Sequence, residues 1–356
     1  MEPLVHTKFK LNENAFLSAE ALNTYALKLV ENGNNYEASI GRFIVEWLNG
    51  NDFIKVRTSG STGVPKEVLL KKIHVFNSAN ATNMYFDLKE DTKALLCLSA
   101  EYIAGKMMLV RAMIGGWNLH AVAPKKNPLK KSKDEFDFTA MVPYQAFYSL
   151  ADLPKVKKLI IGGGALSNVL EKELQHIKTA VFATYGMTET ISHIAVRPIN
   201  GAEKSPVFSA LPKVIFSQTE NDCLQIHASE ISEETVVTND VVELLSPTSF
   251  KFLGRIDTVI NTGGVKVHPE LVEEKLSQHI HSPFIVASEK NEALGDQLIL
   301  IVERSENLKL EDFSEAFKVL SKYEIPKKIY KTAQFIYTDT GKIKRGAIIE
   351  KTEIIK

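Results

Sequence analysis

Cysteines, net charge and long apolar runs are all scarce in this sequence of 356 residues. Its two cysteines, Cys97 and Cys223, lie beside leucines without metal-ligand spacing, which predicts buried free thiols rather than disulfides or a metal site. The 43 basic and 43 acidic side chains cancel, so no overall charge attracts nucleic acid or an anionic membrane. The most apolar stretch, residues 94–117, is interrupted by charged side chains and predicts no membrane span.

A secretory signal is also missing, because the opening Met-Glu-Pro-Leu begins neither a basic nor an apolar segment. Free thiols without a signal predict a cytoplasmic protein. The length suits two or three domains, and 44% hydrophobic residues are typical of a globular protein. The lysines between positions 125 and 133 are interpreted as part of a solvated loop.

Short apolar runs alternate with helical segments through the first part of the chain. Apolar residues at three- and four-residue spacing predict helices at 19–29, 40–48, 73–87 and 105–114. Strands are predicted at 53–57, 67–70, 94–98, 119–122, 140–142, 159–161 and 180–183. This alternation indicates parallel strands joined by crossover helices, followed by a β-rich stretch at 206–253.

The pattern changes again after Asp257. Helices are predicted at 270–276 and 310–320, and strands at 284–287, 298–303 and 329–336. We therefore predict an α/β fold with a large N-terminal domain, 1–255, of mixed and parallel sheets and crossover helices. That domain includes a small β subdomain at 206–253, and a small mobile α+β domain, 256–356, follows it.

A loop rich in glycine, hydroxyl and lysine side chains follows the predicted strand 53–57. Glycines let a backbone approach a ligand closely, and hydroxyls and a lysine can bind phosphate oxygens. The loop lacks the Gly-Lys-Ser/Thr order of a P-loop, and taken alone it is more typical of a flexible surface segment. Its flanking strands favour phosphate binding, by Thr58, Ser59, Gly60, Ser61, Thr62, Gly63 and Lys66.

This loop closely resembles the signature of the adenylate-forming enzymes, which include acyl- and aryl-CoA synthetases, peptide-synthetase adenylation domains and luciferases. The resemblance implies that the loop grips the β- and γ-phosphates of ATP. Members of that family usually have a longer segment ahead of this loop than the 57 residues found here. We therefore expect part of the usual N-terminal subdomain to be missing.

A second segment, 185–190, reads Tyr-Gly-Met-Thr-Glu-Thr and resembles another motif of the same family. The resemblance implies that Thr188 contacts the α-phosphate, that Glu189 lies near Mg²⁺, and that Tyr185 and Gly186 adjoin the nucleotide. In-line attack on the α-phosphorus needs charge stabilisation on its oxygens, which a metal ion and donors supply. A polar turn between strand and helix would explain the segment equally well without the resemblance.

The third segment begins at Arg255 and resembles the family's hinge and the glycine loop that follows it. By that resemblance Arg255 touches the ribose or α-phosphate, and Asp257 is the hinge that absorbs a backbone rotation. Gly263 and Gly264 would line the pantetheine tunnel. Upstream, Asp240 matches the ribose-binding aspartate of the family, although an asparagine, which tolerates left-handed backbone angles, replaces the glycine before it.

The fourth segment, 338–345, resembles the family's C-terminal motif, whose lysine bridges the attacking carboxylate and the α-phosphate. By position that lysine is Lys342, a point charge on a long stem that can reach two anions. A Gly-Lys pair near a C-terminus is usually a solvated tail. Here three related segments precede it in the family's order, which favours the catalytic interpretation.

Substrate choice follows from a weaker resemblance. Residues 98–113 and the 185–190 wording resemble o-succinylbenzoate–CoA ligases of menaquinone biosynthesis, with a tyrosine where the family usually has a pocket-entrance histidine. Gly163 and Gly164 would pack against adenine and the acyl group. The idle aromatic carboxylate of that acid needs a cation or several donors, because burying it bare is costly. The predicted substrate residues are Tyr102, Gly105, Lys106, Ser192 and Arg197, with Lys106 or Arg197 as the cation.

The resemblance thus implies an ATP- and Mg²⁺-dependent carboxylate–CoA ligase that works through an acyl-AMP. Its partners would be a small carboxylic acid, ATP and CoA, without nucleic acid or a membrane span, and a homodimer stays open. Three alternatives remain: another aryl or fatty acid as substrate, transfer to a carrier-protein thiol, or a non-catalytic nucleotide-binding homologue.

Overall fold

The computed structural model describes residues 5–57, 67–303, 310–336 and 343–354. A thirteen-stranded mixed sheet occupies the described chain up to Arg255, and a two-stranded ladder stands beside it. The large sheet contains β1 (Lys10–Leu11), β2 (Asn14–Ala15), β5 (Lys93–Leu96), β6 (Asn118–Ala121), β7 (Phe136–Met141), β8 (Val156–Ile161), β9 (Ala180–Gly186), β10 (His193–Pro198), β11 (Val207–Ala210), β12 (Ile215–Gln218), β13 (Cys223–His227), β14 (Val236–Ser246) and β15 (Ser249–Arg255). The ladder pairs β3 (Phe53–Arg57) with β4 (Glu67–Lys71).

Six helices accompany these strands in the described part of the large sheet's region. They are α1 (Ala19–Asn32), α2 (Asn35–Leu48), α3 (Lys72–Tyr85), α4 (Ile103–Gly115), α5 (Pro143–Ser149) and α6 (Asn168–Leu174). The start of α2 is set by a capping box, in which Asn34 and Glu37 satisfy each other's backbone N–H groups. Helix α4 is buried on all sides from Gly105 to Met113, which makes it a central core helix.

The middle of the large sheet is parallel, with β1, β6, β5, β7, β8 and β9 as successive neighbours. Alternate residues of these strands enter two different cores. Leu96 and Ile160 join the core on one face, while Leu95 and Leu159 join the core on the other. Because both faces are covered, the strands read as continuous apolar runs, which is why the sequence predicted them correctly.

Antiparallel strands extend the sheet from β9 through β10, β11, β15, β14 and β13 to β12. The β-rich residues 207–255 are therefore hydrogen-bonded into the large sheet rather than forming a sheet of their own. Phe216 packs edge-on against the ring of Phe250, and Phe208 stacks on the same Phe250 ring. These rings hold the antiparallel strands together on one face.

A second, six-stranded sheet contains the described strands after Arg255. It consists of β16 (Ile260–Thr262), β17 (Val265–Val267), β18 (Phe284–Asn291), β19 (Gly295–Glu303), β20 (Lys328–Thr332) and β21 (Glu353–Ile354). Helices α7 (Pro269–Leu276), α8 (Ser314–Phe317) and α9 (Arg345–Ile349) accompany it. The chain changes sheet between Arg255 and Ile260, and the division into two domains with a mobile small one remains a proposal.

Two predicted elements of this region differ from the structure. Residues 310–320 form a 3₁₀ turn, Leu310–Phe313, and the short helix α8 rather than one continuous helix. The predicted strand 329–336 ends at Thr332, which is paired with Glu303, the last residue of β19. Beyond Thr332 the chain bends, and the Phe335 N–H donates to the Glu303 carboxylate at 2.6 Å instead of continuing the strand.

Two predictions made from composition concern the cysteines and a membrane span. Cys97 and Cys223 are both buried and free, as predicted. Burial raises the pKa of the Cys97 thiol to about 12, so it is inert as a nucleophile at neutral pH. Within the described ranges, no helix combines the length and the apolar character that a membrane crossing requires.

A partly buried ion pair ties the last helix to the small sheet. The Arg345 guanidinium donates to both carboxylate oxygens of Glu273, at 2.8 and 2.6 Å, and to the Val286 carbonyl at 3.1 Å. Burial raises the pKa of Glu273 even beside this arginine. Removing one member of such a pair leaves the other charge buried without compensation.

We expect Arg345→Met to destabilise the small sheet by about 2 kcal/mol, between the effects for exposed and fully buried pairs, because the Glu273 carboxylate loses its partner. Amide hydrogen exchange in β18 and β19 measures this local free energy. Lys318→Met is the matched control, since Lys318 pairs with Glu315 on the surface and exposed pairs contribute about 0–1 kcal/mol. Equal protection in the two variants would contradict the expectation.

Candidate active site

A cavity of about 210 Å³ lies where the parallel strands of the large sheet end. Its wall is formed by residues in the loops that follow β5, β7, β8 and β9, together with residues from α4 and the start of β10. In open α/β sheets, ligands bind at the carboxyl ends of the strands. The lining residues are Leu98, Ile103, Ala104, Met107, Arg111, Ala140, Met141, Val142, Ile160, Gly162, Gly163, Thr184, Gly186, Met187, Thr188, Ile191, Ser192 and His193.

Glycines allow two loops to approach each other around this cavity. A Cβ atom on Gly186 would lie 2.1 Å from the Ser192 carbonyl oxygen, and one on Gly162 would lie 2.4 Å from Thr184 Oγ1. Gly163 has φ +80°, a left-handed conformation that favours glycine. Of the two predicted adenine-contacting glycines, Gly163 lines the cavity, whereas Gly164 is not part of its wall.

Strain is concentrated at the turn that follows Thr188 and Glu189. These residues open a 3₁₀ turn, Thr188–Thr190, after which Ile191 has φ +65° and ψ −59°. The Ser192 N–H donates to the Thr190 carbonyl at 2.6 Å, which closes a tight γ-turn around Ile191. A β-branched residue with positive φ is unfavourable and persists only where its surroundings enforce it. The turn directs Ser192 and the next residue into the cavity wall.

Thr188 is half-buried in the cavity wall, whereas Glu189 is exposed beside it. No described group of three or more His, Cys, Asp or Glu residues could hold a metal ion by itself. A magnesium ion that arrives with nucleotide phosphates needs only one or two protein carboxylates. Glu189 therefore fits as a single carboxylate for Mg²⁺, which would neutralise phosphate charge when bound.

The predicted ribose residues form one cluster next to the cavity. The Tyr185 hydroxyl donates to Asp240 Oδ2 at 2.5 Å, and Arg255 Nη1 lies 3.7 Å from Asp240 Oδ1. Burial, and then the nearby Asp240 charge, raise the pKa of Tyr185, so the phenol stays protonated and donates. Arg255 also donates to both oxygens of Asp257, at 2.9 and 3.1 Å. The predicted hinge residue is therefore bonded to a predicted nucleotide ligand.

Two predicted cations do not reach the cavity. Lys106 Nζ donates to the Lys55 carbonyl at 2.6 Å and to Glu46 at 3.1 Å, and it lies in a different cleft. Arg197 forms an ion pair with Glu171 and also lies outside the cavity wall. Both charges are already neutralised by carboxylates, which removes the reason for choosing them.

Two further predicted substrate residues, Tyr102 and Gly105, also lie outside the cavity wall. Tyr102 stands at the N-terminus of α4, half exposed and outside the cavity wall. Gly105 is a packing residue, because a Cβ atom there would lie 2.2 Å from the Ser99 carbonyl oxygen. Of the five predicted substrate residues, Ser192 is the one that lines the cavity.

The cavity contains a cation that the sequence analysis did not select. Arg111, on α4, is 2% exposed and lines the cavity. Its Nη2 lies 3.0 Å from Ser192 Oγ and 3.3 Å from His193 Nδ1, and no carboxylate of the described residues forms an ion pair with it. Burial alone lowers the pKa of Arg111 to about 9. The available signal was a second charged residue, besides Lys106, within an apolar helix.

A larger, more open cleft of about 420 Å³ lies between α2 and the residues that precede α4. Its charges are paired with each other: Arg42 with Glu101, and Lys106 with Glu46. Among the described residues no glycine loop lines it, and of the loops that follow the parallel strands it takes only the one after β5, through Ala100 and Glu101. The smaller cavity is the candidate active site because its unpaired cation and strand-end loops suit an anionic ligand.

Some predicted residues cannot be placed in this geometry. The phosphate loop, 58–66, and Lys342 lie outside the described residues. The strands on either side of the loop pair directly, with Arg57 opposite Glu67. Gly263 and Gly264 form the two-residue turn between β16 and β17, with φ +58° and +81°, as a tight hairpin requires. Their predicted contact with pantetheine remains a proposal.

This chain is similar to AMP-binding enzymes of known sequence and structure. A family model described as "AMP-binding enzyme" matches residues 56–215. A crystal structure from Dyadobacter fermentans, described as an acyl-CoA synthetase (AMP-forming)/AMP-acid ligase II-like protein, is 34% identical with a TM-score of 0.61. The match covers 89% of this chain and 95% of that one.

More distant relatives carry a specific substrate in their names. A 2-succinylbenzoate–CoA ligase of Bacillus cytotoxicus is 23% identical, in an alignment that covers 87% of this chain and 72% of the relative. The o-succinylbenzoate CoA synthetase of Bacillus subtilis, solved with its acyl-adenylate intermediate, is 19% identical with a TM-score of 0.72, covering 85% of this chain and 69% of that one. At that identity the structural likeness supports the fold alone, which is the α/β fold predicted from the sequence.

Proposed function

We propose that this chain, which belongs to the AMP-binding family of adenylate-forming enzymes, ligates o-succinylbenzoate to CoA. The predicted family is confirmed, and the chain is an AMP-forming ligase. The proposed reaction consumes o-succinylbenzoate, ATP and CoA and yields o-succinylbenzoyl-CoA, AMP and diphosphate. The 2-succinylbenzoate–CoA ligase names among the relatives support this choice of acid.

The observation that carries the proposal is the unpaired Arg111 guanidinium in the cavity wall. A buried charge without a counter-charge is costly, and an anionic ligand bound in the cavity would offset that cost. o-Succinylbenzoate has a second carboxylate, on its aromatic ring, which does not react. Arg111 and Ser192 would bind that carboxylate, while the aliphatic carboxylate points toward Thr188.

A plain fatty acid fits this cavity poorly, because its apolar tail would replace water around Arg111 without neutralising the charge. The apolar lining, which includes Leu98, Ile103 and Met107, suits an aromatic ring between the two carboxylates. Acyl transfer to a carrier-protein thiol would use the same cavity. We favour CoA because the named relatives are CoA ligases.

Adenylation needs no general base, since the acid arrives as a carboxylate. We propose that the loop 58–66 holds the β- and γ-phosphates, that Thr188 donates to the α-phosphate, and that Lys342 bridges the attacking carboxylate and the α-phosphate. Asp240, held by Tyr185, would bind the ribose hydroxyls. Magnesium held near Glu189 would supply charge neutralisation when bound.

Thioester formation follows in the proposed second half-reaction. The small domain would rotate about Asp257, which removes Lys342 and brings Gly263 and Gly264 to the cavity. The CoA thiol then attacks the acyl carbonyl and AMP leaves. In the structure, Arg255 holds Asp257 through two hydrogen bonds, so this pair would have to open during the rotation.

The decisive experiment incubates the protein with o-succinylbenzoate, ATP, Mg²⁺ and CoA and determines the product mass. We expect o-succinylbenzoyl-CoA, and a much lower rate with 4-oxo-4-phenylbutanoate, which is the same acid without its ring carboxylate. Benzoate and hexanoate complete the panel. A faster reaction with any of these three acids would overturn the substrate assignment, and ATP binding without turnover of any acid would favour a non-catalytic homologue.

A further inference from the structure

Arg111 is held by a chain of hydrogen bonds in which each group donates to the next, through His193 and Thr82 to the Ser78 carbonyl. His193, the first residue of β10, is buried, with its Nδ1 3.3 Å from Arg111 Nη2 and its Nε2 3.3 Å from Thr82 Oγ1. The Thr82 hydroxyl in turn donates to the Ser78 carbonyl at 3.2 Å. The histidine therefore lies between the guanidinium and helix α3.

Donor and acceptor chemistry determines the protonation of this ring. A guanidinium can only donate, so Nδ1 must be an acceptor without a proton. The neutral ring then carries its proton on Nε2 and donates it to Thr82. Burial and the charge on Arg111 hold the pKa of His193 well below its usual value, which agrees with a neutral ring.

A neutral acceptor orients the guanidinium without cancelling its charge. An aspartate or glutamate at this place would orient Arg111 but would also cancel its charge and compete with an anionic ligand. Both described side-chain partners of Arg111, His193 and Ser192, are neutral. The guanidinium is thereby held in place with its full charge available to the cavity.

We propose that His193 is a positioning residue for substrate recognition: its Nδ1 atom holds the Arg111 guanidinium in the orientation that binds the second carboxylate of the acid. The proposal rests on the proposed function. Because His193 would act through Arg111 alone, its loss should affect the binding of dicarboxylates and leave the chemistry at the α-phosphate unchanged.

Two isosteric variants separate the two hydrogen bonds of the ring. His193→Asn places an amide oxygen near the position of Nδ1 and keeps the acceptor for Arg111. His193→Gln places an amide N–H near the position of Nε2, so it keeps the donor for Thr82 but loses that acceptor. We expect the glutamine variant to raise KM for o-succinylbenzoate about tenfold with nearly unchanged kcat, and the asparagine variant to restore most of the affinity.

Two comparisons distinguish positioning from a purely structural role. The acid without the ring carboxylate, 4-oxo-4-phenylbutanoate, should show an unchanged KM in His193→Gln, since it has no carboxylate for Arg111. In an Arg111→Met background, the glutamine substitution should cause no further loss with o-succinylbenzoate. Equal loss with both acids, or an additive loss in the double variant, would overturn the proposal.

A measurement on the unmodified protein provides a test that does not depend on folding of a variant. Nitrogen-15 spectra of labelled histidine rings should show His193 with a proton on Nε2 and none on Nδ1. A proton on Nδ1 would exclude the acceptor role. An unchanged KM for o-succinylbenzoate in Arg111→Met would instead reject the proposed function itself, whereas a raised KM there with an unchanged KM in His193→Gln would reject only the role of His193.

Discussion

Lys342→Ala should reduce diphosphate release from ATP and o-succinylbenzoate by at least about 100-fold. Removing one charged donor from a preorganised site that stabilises a developing negative charge costs about 10²–10³ in rate. Thioester formation from supplied o-succinylbenzoyl-AMP and CoA should remain close to that of the unmodified protein. The reason is that the lysine would have left the cavity before the thiol attacks.

The two half-reactions are measured separately, by diphosphate release and by CoA consumption from the synthetic adenylate. Lys344→Ala is the matched control, because it removes the same charge two residues further along the chain. That control should keep most of both activities. Equal loss of both half-reactions in Lys342→Ala would argue against rotation of the small domain between them.

The second large effect is expected for Arg111→Met with o-succinylbenzoate. The substitution removes the cation proposed to bind the ring carboxylate and leaves that carboxylate buried without a partner. Truncating one member of a buried, hydrogen-bonded charge pair costs about 2–5 kcal/mol, so kcat/KM should fall at least about 30-fold. The rate with 4-oxo-4-phenylbutanoate should stay equal or rise, because its unsubstituted ring prefers an apolar neighbour.

The same substitution should stabilise the ligand-free protein. Burial lowers the pKa of Arg111 to about 9, so the side chain stays charged at neutral pH but its charge is less well solvated in the folded protein than in the unfolded chain. Replacing a buried charge by an apolar side chain of similar length is often stabilising by about 1 kcal/mol or more. Thermal unfolding without substrate measures this effect, and we expect a higher Tm for Arg111→Met.

Arg42→Met is the control for both measurements of Arg111. Arg42 pairs with Glu101 on the surface, and its side chain is 55% exposed. We expect little change in Tm or in kcat/KM, because exposed ion pairs contribute about 0–1 kcal/mol. Loss of both activity and stability in Arg111→Met would mean that the arginine is structural rather than a binding residue.

Much of the fold was predictable because the central strands are buried on both faces. Leu95 and Leu96 enter different cores, so a strand at this position has to be apolar throughout and stands out in the sequence. The ends of elements were less predictable. Strand β20 ends at Thr332, and the Phe335 N–H beyond it donates to the Glu303 carboxylate, a contact made by the tertiary structure rather than by local composition.

The sequence by itself was enough to identify the family of this protein, and with it an AMP-forming ligase, because its glycine, hydroxyl and lysine residues resemble the family's motifs in their order along the chain. Only the tertiary structure decided which cation faces the cavity. Lys106 and Arg111 lie five positions apart on α4, which is about 140° around a helix of 3.6 residues per turn. The two side chains therefore point to different sides. Since α4 is buried all round, no polar face in the sequence indicates which side holds the substrate.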